Sequence, residues 1–372
     1  MTKTWSLWRQ TFVFAVLMFT LLSANLSAGT VYVQTNLVSN QTGLATNTDP
    51  NLINPWGVSF APTSPFWISD QGTNLSTLYD GAGNIVPLVV SVGPPPGPTG
   101  QVFNGTTSFV LPNGSPAVFL FSTLAGTIDG WNGNPLNSAI TVATTPGAVY
   151  TGLANGSVGM TNYLYAADVT GHIDVFDTNF TNVTSTTFAG KFVDPNALPR
   201  FSPFGIQNIN GNIYVMYAQL SGIIGLPGGF VDEFDTSGNF IKRIATNGQL
   251  FAPWGITLAP GRFGQFSNDL LIGQFGNGEI LAYDPTTDAF LGTLNGKNGM
   301  PIVNDFLWSL EVRTMGPNVN PNALYFTAGI DNQMGGLFGK IAAPEPGTIT
   351  LLLAAASSFG ARTLWRRKKT NA

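Results

Sequence analysis

The strongest constraint on this chain is a unit of about 50 residues that recurs six times. Its anchor is Pro or Ser, an aromatic, Gly and an alternating apolar stretch, as in Pro55-Trp56-Gly57-Val58, Pro203-Phe204-Gly205-Ile206 and Pro253-Trp254-Gly255-Ile256. Weaker copies begin near Phe109, Leu153 and Trp308, so the anchors at 56, 109, 153, 204, 254 and 308 are spaced by 53, 44, 51, 50 and 54 residues. A second short strand follows each anchor: Phe66–Asp70, Val118–Phe121, Tyr163–Ala166, Ile213–Met216, Leu270–Gly273 and Ala323–Phe326. A third often closes on Asp80, Asp177, Asp235 or Asp284, with turn residues such as Gly83-Asn84 and Gly238-Asn239 beyond it. Short alternating strands, Gly/Asn/Asp turns and almost no helical periodicity describe four antiparallel strands per unit. Six units at this period predict an all-β fold, a six-bladed propeller of four-stranded blades. Stacking around an axis buries the two apolar faces that a lone blade would expose. The strand Tyr32–Val38 precedes the first unit and is expected to pair near Leu337–Ile341, closing the ring.

Two segments interrupt the repeat. Gly93–Gly100 holds four prolines and reads as a stiff excursion between blades. Ser221–Gly229 is a Gly-rich loop expected between strands two and three of the fourth blade.

The ends have a different character. Lys3 and Arg9 precede the apolar run Phe12–Ala24 and small residues up to Ala28, the pattern of a secretory signal peptide over 1–28. At the other end, Pro344-Glu345-Pro346 leads into an apolar stretch, Gly347–Ala361, and the basic cluster Arg366, Arg367, Lys368 and Lys369. As a helix the stretch measures about 22 Å, and extension to Trp365 brings it near a bilayer core of about 30 Å. The expected organisation is a leader at 1–28, a propeller at 29–342 and a sorting or transmembrane segment with a basic tail at 343–372, with hydrophobic helices at both ends.

Charge narrows the partners. Two of the 15 bases lie in the leader and five in the tail, with one of the 19 acids, leaving 8 bases against 18 acids in the middle, a net charge of −10. Such a surface lacks the basic footprint of nucleic-acid binding. There is no cysteine, which removes disulfides, thiolate nucleophiles and zinc–thiolate sites. With 44% apolar and 12% aromatic residues, stability must come from burial and hydrogen bonding.

The tail closely resembles the PEP-CTERM sorting signal of exopolysaccharide-producing Gram-negative bacteria. That resemblance implies recognition by an exosortase-type processing enzyme, export through the inner membrane with transient anchoring there, and delivery to the cell surface or extracellular matrix. The repeat looks like a family of uncharacterised bacterial propellers, many with such tails. It does so through Thr35-Asn36-Leu37-Val38-Ser39-Asn40, Asn54-Pro55-Trp56-Gly57, Trp67-Ile68-Ser69-Asp70, Ile173-Asp174-Val175-Phe176-Asp177 and Tyr325-Phe326-Thr327-Ala328-Gly329-Ile330. More distantly the blades are similar to NHL repeats. The family has no established activity to transfer, and its charged loop corresponds here to Gln219–Gly229, which lacks acids.

No catalytic or cofactor-binding residue is assigned. The single histidine, His172, reads as a structural residue at the start of a third strand, and Asp80, Asp177, Asp235 and Asp284 recur in a way that suits turn capping. Asp70 and Asp168 end second strands in the first and third blades only. With Asp305, Asn54 and Asn208 they are the metal candidates, a hard-oxygen set that could hold a structural Ca²⁺ at the central channel. Two functions follow. One is a non-catalytic exported propeller that binds matrix glycan or envelope partners, with Trp131 and Trp308 as sugar-stacking candidates. The alternative is a metal-dependent hydrolase or lactonase at the channel, which requires three or more oxygens converging on the axis.

Overall fold

A computed structural model describes residues 30–344 apart from 222, 223 and 226. The expected leader and the tail residues Glu345, Pro346, Arg366, Arg367, Lys368 and Lys369 lie outside the described residues, as do the two flanking helices; Pro344 is the last residue described. Among the described residues no helix is long and apolar enough to cross a membrane.

The chain forms a six-bladed all-β propeller. The innermost strands of blades 1 to 6 are Pro55–Ser59, Pro98–Phe103, Tyr150–Val158, Ser202–Ile209, Pro253–Leu258 and Leu307–Val312. Blades 1, 2, 4 and 5 are four-stranded sheets in chain order. In blade 3 three regular strands, Tyr150–Val158, Thr161–Asp168 and His172–Phe176, are extended outward by Val183, whose amide donates to the Val175 carbonyl at 2.8 Å. Blade 6 is closed as expected: Val33–Ser39 pairs antiparallel with Leu337–Ala342, matching Thr35 with Lys340.

Each blade buries both faces. In blade 5, Leu270 and Ile272 enter the core shared with blade 4, while Leu271 enters the one shared with blade 6. That is why these strands read as continuous apolar runs, as sheets covered on both sides do. Six apolar clusters fill the six gaps between neighbouring blades, and a seventh lies on the axis.

The Asp residues after third strands cap turns. Asp80 Oδ1 accepts the amides of Ala82 and Asn84, Asp177 Oδ1 those of Asn179 and Thr181, Asp235 Oδ1 that of Asn239, and Asp284 Oδ1 those of Thr286 and Thr287, all near 2.8–2.9 Å. Burial pushes the Asp80 carboxyl up, but donors from Asn84, Asn318 and the turn amides outweigh it and hold the group below its usual range.

Blade 2 corrects the expected anchor. Its innermost strand is Pro98–Phe103, not a strand near Phe109. Phe109 lies in the following loop with φ +59°, buried in the core shared with blade 3. The proline-rich segment is therefore an excursion only up to Gly97.

Candidate functional site

The axis is built from one repeated device. In every blade the pairing of the first two strands slips at the anchor, between Pro55 and Val58, Pro98 and Gln101, Tyr150 and Gly152, Pro203 and Gly205, Pro253 and Ile256, and Leu307 and Leu310. Such bulges re-aim side chains. Here the residue before the glycine (before Ser309 in blade 6) turns onto the axis in four blades, and Trp56, Phe204, Trp254 and Trp308 meet there as a buried plug with Phe275. Trp56 and Trp308 stack at 3.5 Å between ring centroids, and Trp254 meets Trp56 edge-on at 6.1 Å. The indole of Trp308 donates to Asn54 Oδ1 and that of Trp254 to the Thr151 carbonyl, each at 3.0 Å.

Beneath the plug, Gly57, Gly100, Gly255 and Ser309 line the axis, and Gly152 and Gly205 complete the ring through backbone contact with the next blade. A Cβ at Gly100 would lie 2.1 Å from the Leu153 amide nitrogen, and one at Gly205 2.2 Å from the Trp254 carbonyl. The innermost strands thus touch backbone to backbone. The cavity left on the axis is about 20 Å³, room for a single water.

Two residues further along the innermost strands of blades 1, 2, 3, 4 and 6 the channel widens. Ser59, Val102, Ala154, Gln207 and Glu311 line a mouth of about 200 Å³ together with Asn155 and Asn208. The same two asparagines border a groove of about 400 Å³ whose other walls include Asn104, Thr106, Ser157, Asn162 and Thr236. Its amides are held in place: Asn155 donates to the Phe103 carbonyl (2.9 Å), Asn208 to the Asn155 carbonyl (2.7 Å) and Asn162 to Ser108 Oγ (3.0 Å).

Glu311 is the one carboxyl lining this channel among the described residues. Burial pushes it up to about 8, against a smaller downward pull from Gln207, whose Nε2 lies 3.4 Å from Oε1. The folded chain therefore holds this proton more tightly than the unfolded chain, where the ordinary value is 4.5. The resulting stability is complete below the unfolded value and is lost as pH rises towards 8. Glu311→Gln keeps a neutral group at every pH. E311Q should match the parent near pH 4 and exceed it at pH 9 by about 2 kcal/mol, a few degrees in Tm, after discounting for water in the mouth. Parallel melting curves across this range would remove Glu311 from the channel wall.

The sequence-predicted metal candidates do not assemble. Asp70 is fully buried in blade 1, where Thr77 Oγ1 donates to Oδ2 at 2.7 Å and Oδ1 has no partner among the described residues. Burial holds this carboxyl well above its usual range, the Thr77 hydrogen bond opposing and Asp49 adding to the rise. Asp305 is exposed in the loop before blade 6. Asp168 ends the second strand of blade 3 beside His172 and Asp174. Asn54 supports the plug, and only Asn208 reaches the mouth. Nor is Trp308 available for stacking on a sugar, being 1% exposed. Trp131 is half-buried against Trp67, its indole donating to the Leu136 carbonyl at 2.8 Å. Glu311 escaped sequence reading, although its place two residues beyond Ser309 is the signal that finds it once the ring is known.

No protein-family model matches the chain. It is 32% identical over 326 residues to the uncharacterised protein R648 of Acanthamoeba polyphaga mimivirus, covering 82% of this chain and 78% of that one. The chain belongs to that family. A second member, the uncharacterised protein L690 of the same virus, is 31% identical over 82% of this chain and 84% of its own. These relatives correct the expected membership of a bacterial PEP-CTERM-sorted family: the family shown is one of uncharacterised giant-virus proteins. Among solved structures the chain is similar to the hydrazine synthase of Kuenenia stuttgartiensis (TM-score 0.48, 15% identity, 77% of this chain and 76% of that one). It is also similar to a streptogramin B lyase (TM-score 0.46, 11% identity, 84% and 97%). These likenesses are too distant to bear on function.

Proposed function

We propose that this propeller is a non-catalytic, exported binding module whose ligand is an uncharged glycan, held at the open mouth of the channel and in the adjoining groove. The observation that carries this reading is the groove's lining: fixed Asn, Thr and Ser groups with no ionised side chain in its walls. Sugar hydroxyls pair with such amides, and pre-set hydrogen-bond partners reduce the ordering cost of binding. A net charge of −10 over the middle of the chain disfavours acidic polysaccharides. Export rests on the leader-like pattern at 1–28 and suits a fold stabilised without thiols. The alternative, a metal-dependent hydrolase, finds Glu311 and Gln207 on the axis where three or more converging oxygens are needed.

A screen of neutral and acidic oligosaccharides tests this. Neutral glycans should bind, and Ser157→Trp, which fills the groove from an exposed position, should weaken binding at least about tenfold, or ~1.4 kcal/mol, with Tm unchanged. Binding of acidic glycans alone, or equal binding by S157W, would overturn the reading.

A further inference from the structure

Blade 3 carries a cluster that neither the axis nor the groove uses. The hairpin Asp168-Val169-Thr170-Gly171-His172-Ile173-Asp174 pairs Asp168 directly with His172, and Asp174 follows His172 by two residues on the same strand. Directly opposed residues share a face, as do residues two apart, so all three side chains meet. Nε2 of His172 lies 3.3 Å from Asp174 Oδ1 and 3.7 Å from Asp168 Oδ2.

The matching positions in blade 2 show what the fold itself requires there. Thr123, Thr127 and Asp129 form a closed chain, with 2.8 Å between the two hydroxyls and 2.6 Å from Thr127 Oγ1 to Asp129 Oδ2. One carboxylate is satisfied by hydroxyls. Blade 3 replaces both threonines, placing a second carboxylate and an imidazole at these positions. Asp168 and Asp174 are 1% and 2% exposed. Asp168 Oδ1 accepts the amides of Val149 and Thr170, at 3.1 and 2.9 Å, whereas Oδ2 accepts no hydrogen bond from any described residue and points at His172. Asp174 is satisfied by hydroxyls, Tyr150 donating to Oδ2 at 2.5 Å and Thr184 to Oδ1 at 3.1 Å. The surplus negative charge is therefore Asp168 Oδ2, which faces the imidazole with the second carboxylate within 4.8 Å, an arrangement that favours a cation.

We propose that Asp168, His172 and Asp174 bind one divalent transition-metal ion of the Zn²⁺ type. Zinc bonds of about 2.0–2.1 Å place tetrahedral ligands about 3.3 Å apart, close to the two spacings from His172 Nε2, 3.3 and 3.7 Å. Imidazole with two carboxylates suits Zn²⁺, whereas Ca²⁺ takes about six to eight oxygens. His172 is 52% exposed in its side chain, and the space beside Gly171 is open, so the ion enters from solvent and water completes its shell.

The test uses the full chain without a polyhistidine tag, titrated calorimetrically with Zn²⁺ and separately with Ca²⁺. One equivalent of Zn²⁺ should bind and raise Tm, with no comparable Ca²⁺ response. Because the chain has one histidine, a single imidazole pair appears in ¹⁵N–¹H spectra, and its Nε2 resonance should move on saturation. His172→Ala and Asp168→Asn, the latter retaining Oδ1 for the turn amides, should each lower affinity by at least about tenfold while keeping the metal-free Tm near the parent's. Absence of saturable Zn²⁺ binding, or equal binding by both variants, overturns the site.

Discussion

Gly100→Val is expected to yield no folded protein, and Gly100→Ala to lose about 3 kcal/mol or more, at the upper end of what overpacking costs. The backbone of Gly100 needs no left-handed conformation; the demand is for space. Its Cβ would meet the Leu153 nitrogen at 2.1 Å and the Gly152 carbonyl carbon at 2.5 Å, both main-chain atoms of the next blade. A flexible side chain could move aside, but here blade 3 would have to move, and in a closed ring its neighbours with it. Gly147 is the control. It has φ +84° with nothing within 4 Å of a Cβ, so Gly147→Ala bears only backbone strain of about 1 kcal/mol. Denaturant midpoints should separate the two alanine variants widely. Equal costs would mean that the innermost strands do not touch.

Trp308→Ala should cost about 3–5 kcal/mol. The side chain is 1% exposed, stacked on Trp56, within 4.5 Å of Phe275 between centroids, and hydrogen-bonded to Asn54. Asn54 is itself held with φ +47° and donates to Gln71 Oε1 at 2.8 Å, so losing the indole also leaves a buried acceptor unpaired. The near-ultraviolet dichroism of the stacked tryptophans should collapse while the β signal persists at low temperature. Trp308→Phe, which keeps the ring but not the donor, should cost roughly half as much. A small effect from W308A would show that the axis is not plugged there.

Much of this architecture was legible because each strand is buried on both faces, which makes apolar runs recur at the blade period. The second strands Phe66–Asp70 and Ala323–Ala328, and the closure of the ring through Val33–Ser39, follow directly from that pattern. Blade 2 departs from the expected anchor near Phe109 because Pro98-Thr99-Gly100 carries no aromatic before its glycine. The feature shared by five blades is the glycine, commonly two residues after a proline, as in Pro98-Thr99-Gly100, with Ser309 in its place in blade 6. In blade 2 the plug position holds Thr99, whose hydroxyl donates instead to the Tyr150 carbonyl at 2.7 Å. The site was less legible. Strand pattern alone does not tell which face of an innermost strand meets the axis, so Glu311 and Gln207 carried no mark. Read singly, Asp168 suits the channel and His172 a turn, although hairpin pairing places them opposite each other.

Hydrogen exchange on the protein with and without the tightest oligosaccharide from the glycan screen would locate the ligand outright. Slowed exchange should fall on the wide end of the channel, at the amides near 59–60, 102–106, 154–158 and 207–211, and leave the plug end at 54–56 and 253–254 unchanged. Protection confined to the plug end, or to the outer strands, would contradict the assignment of the open mouth as the binding face.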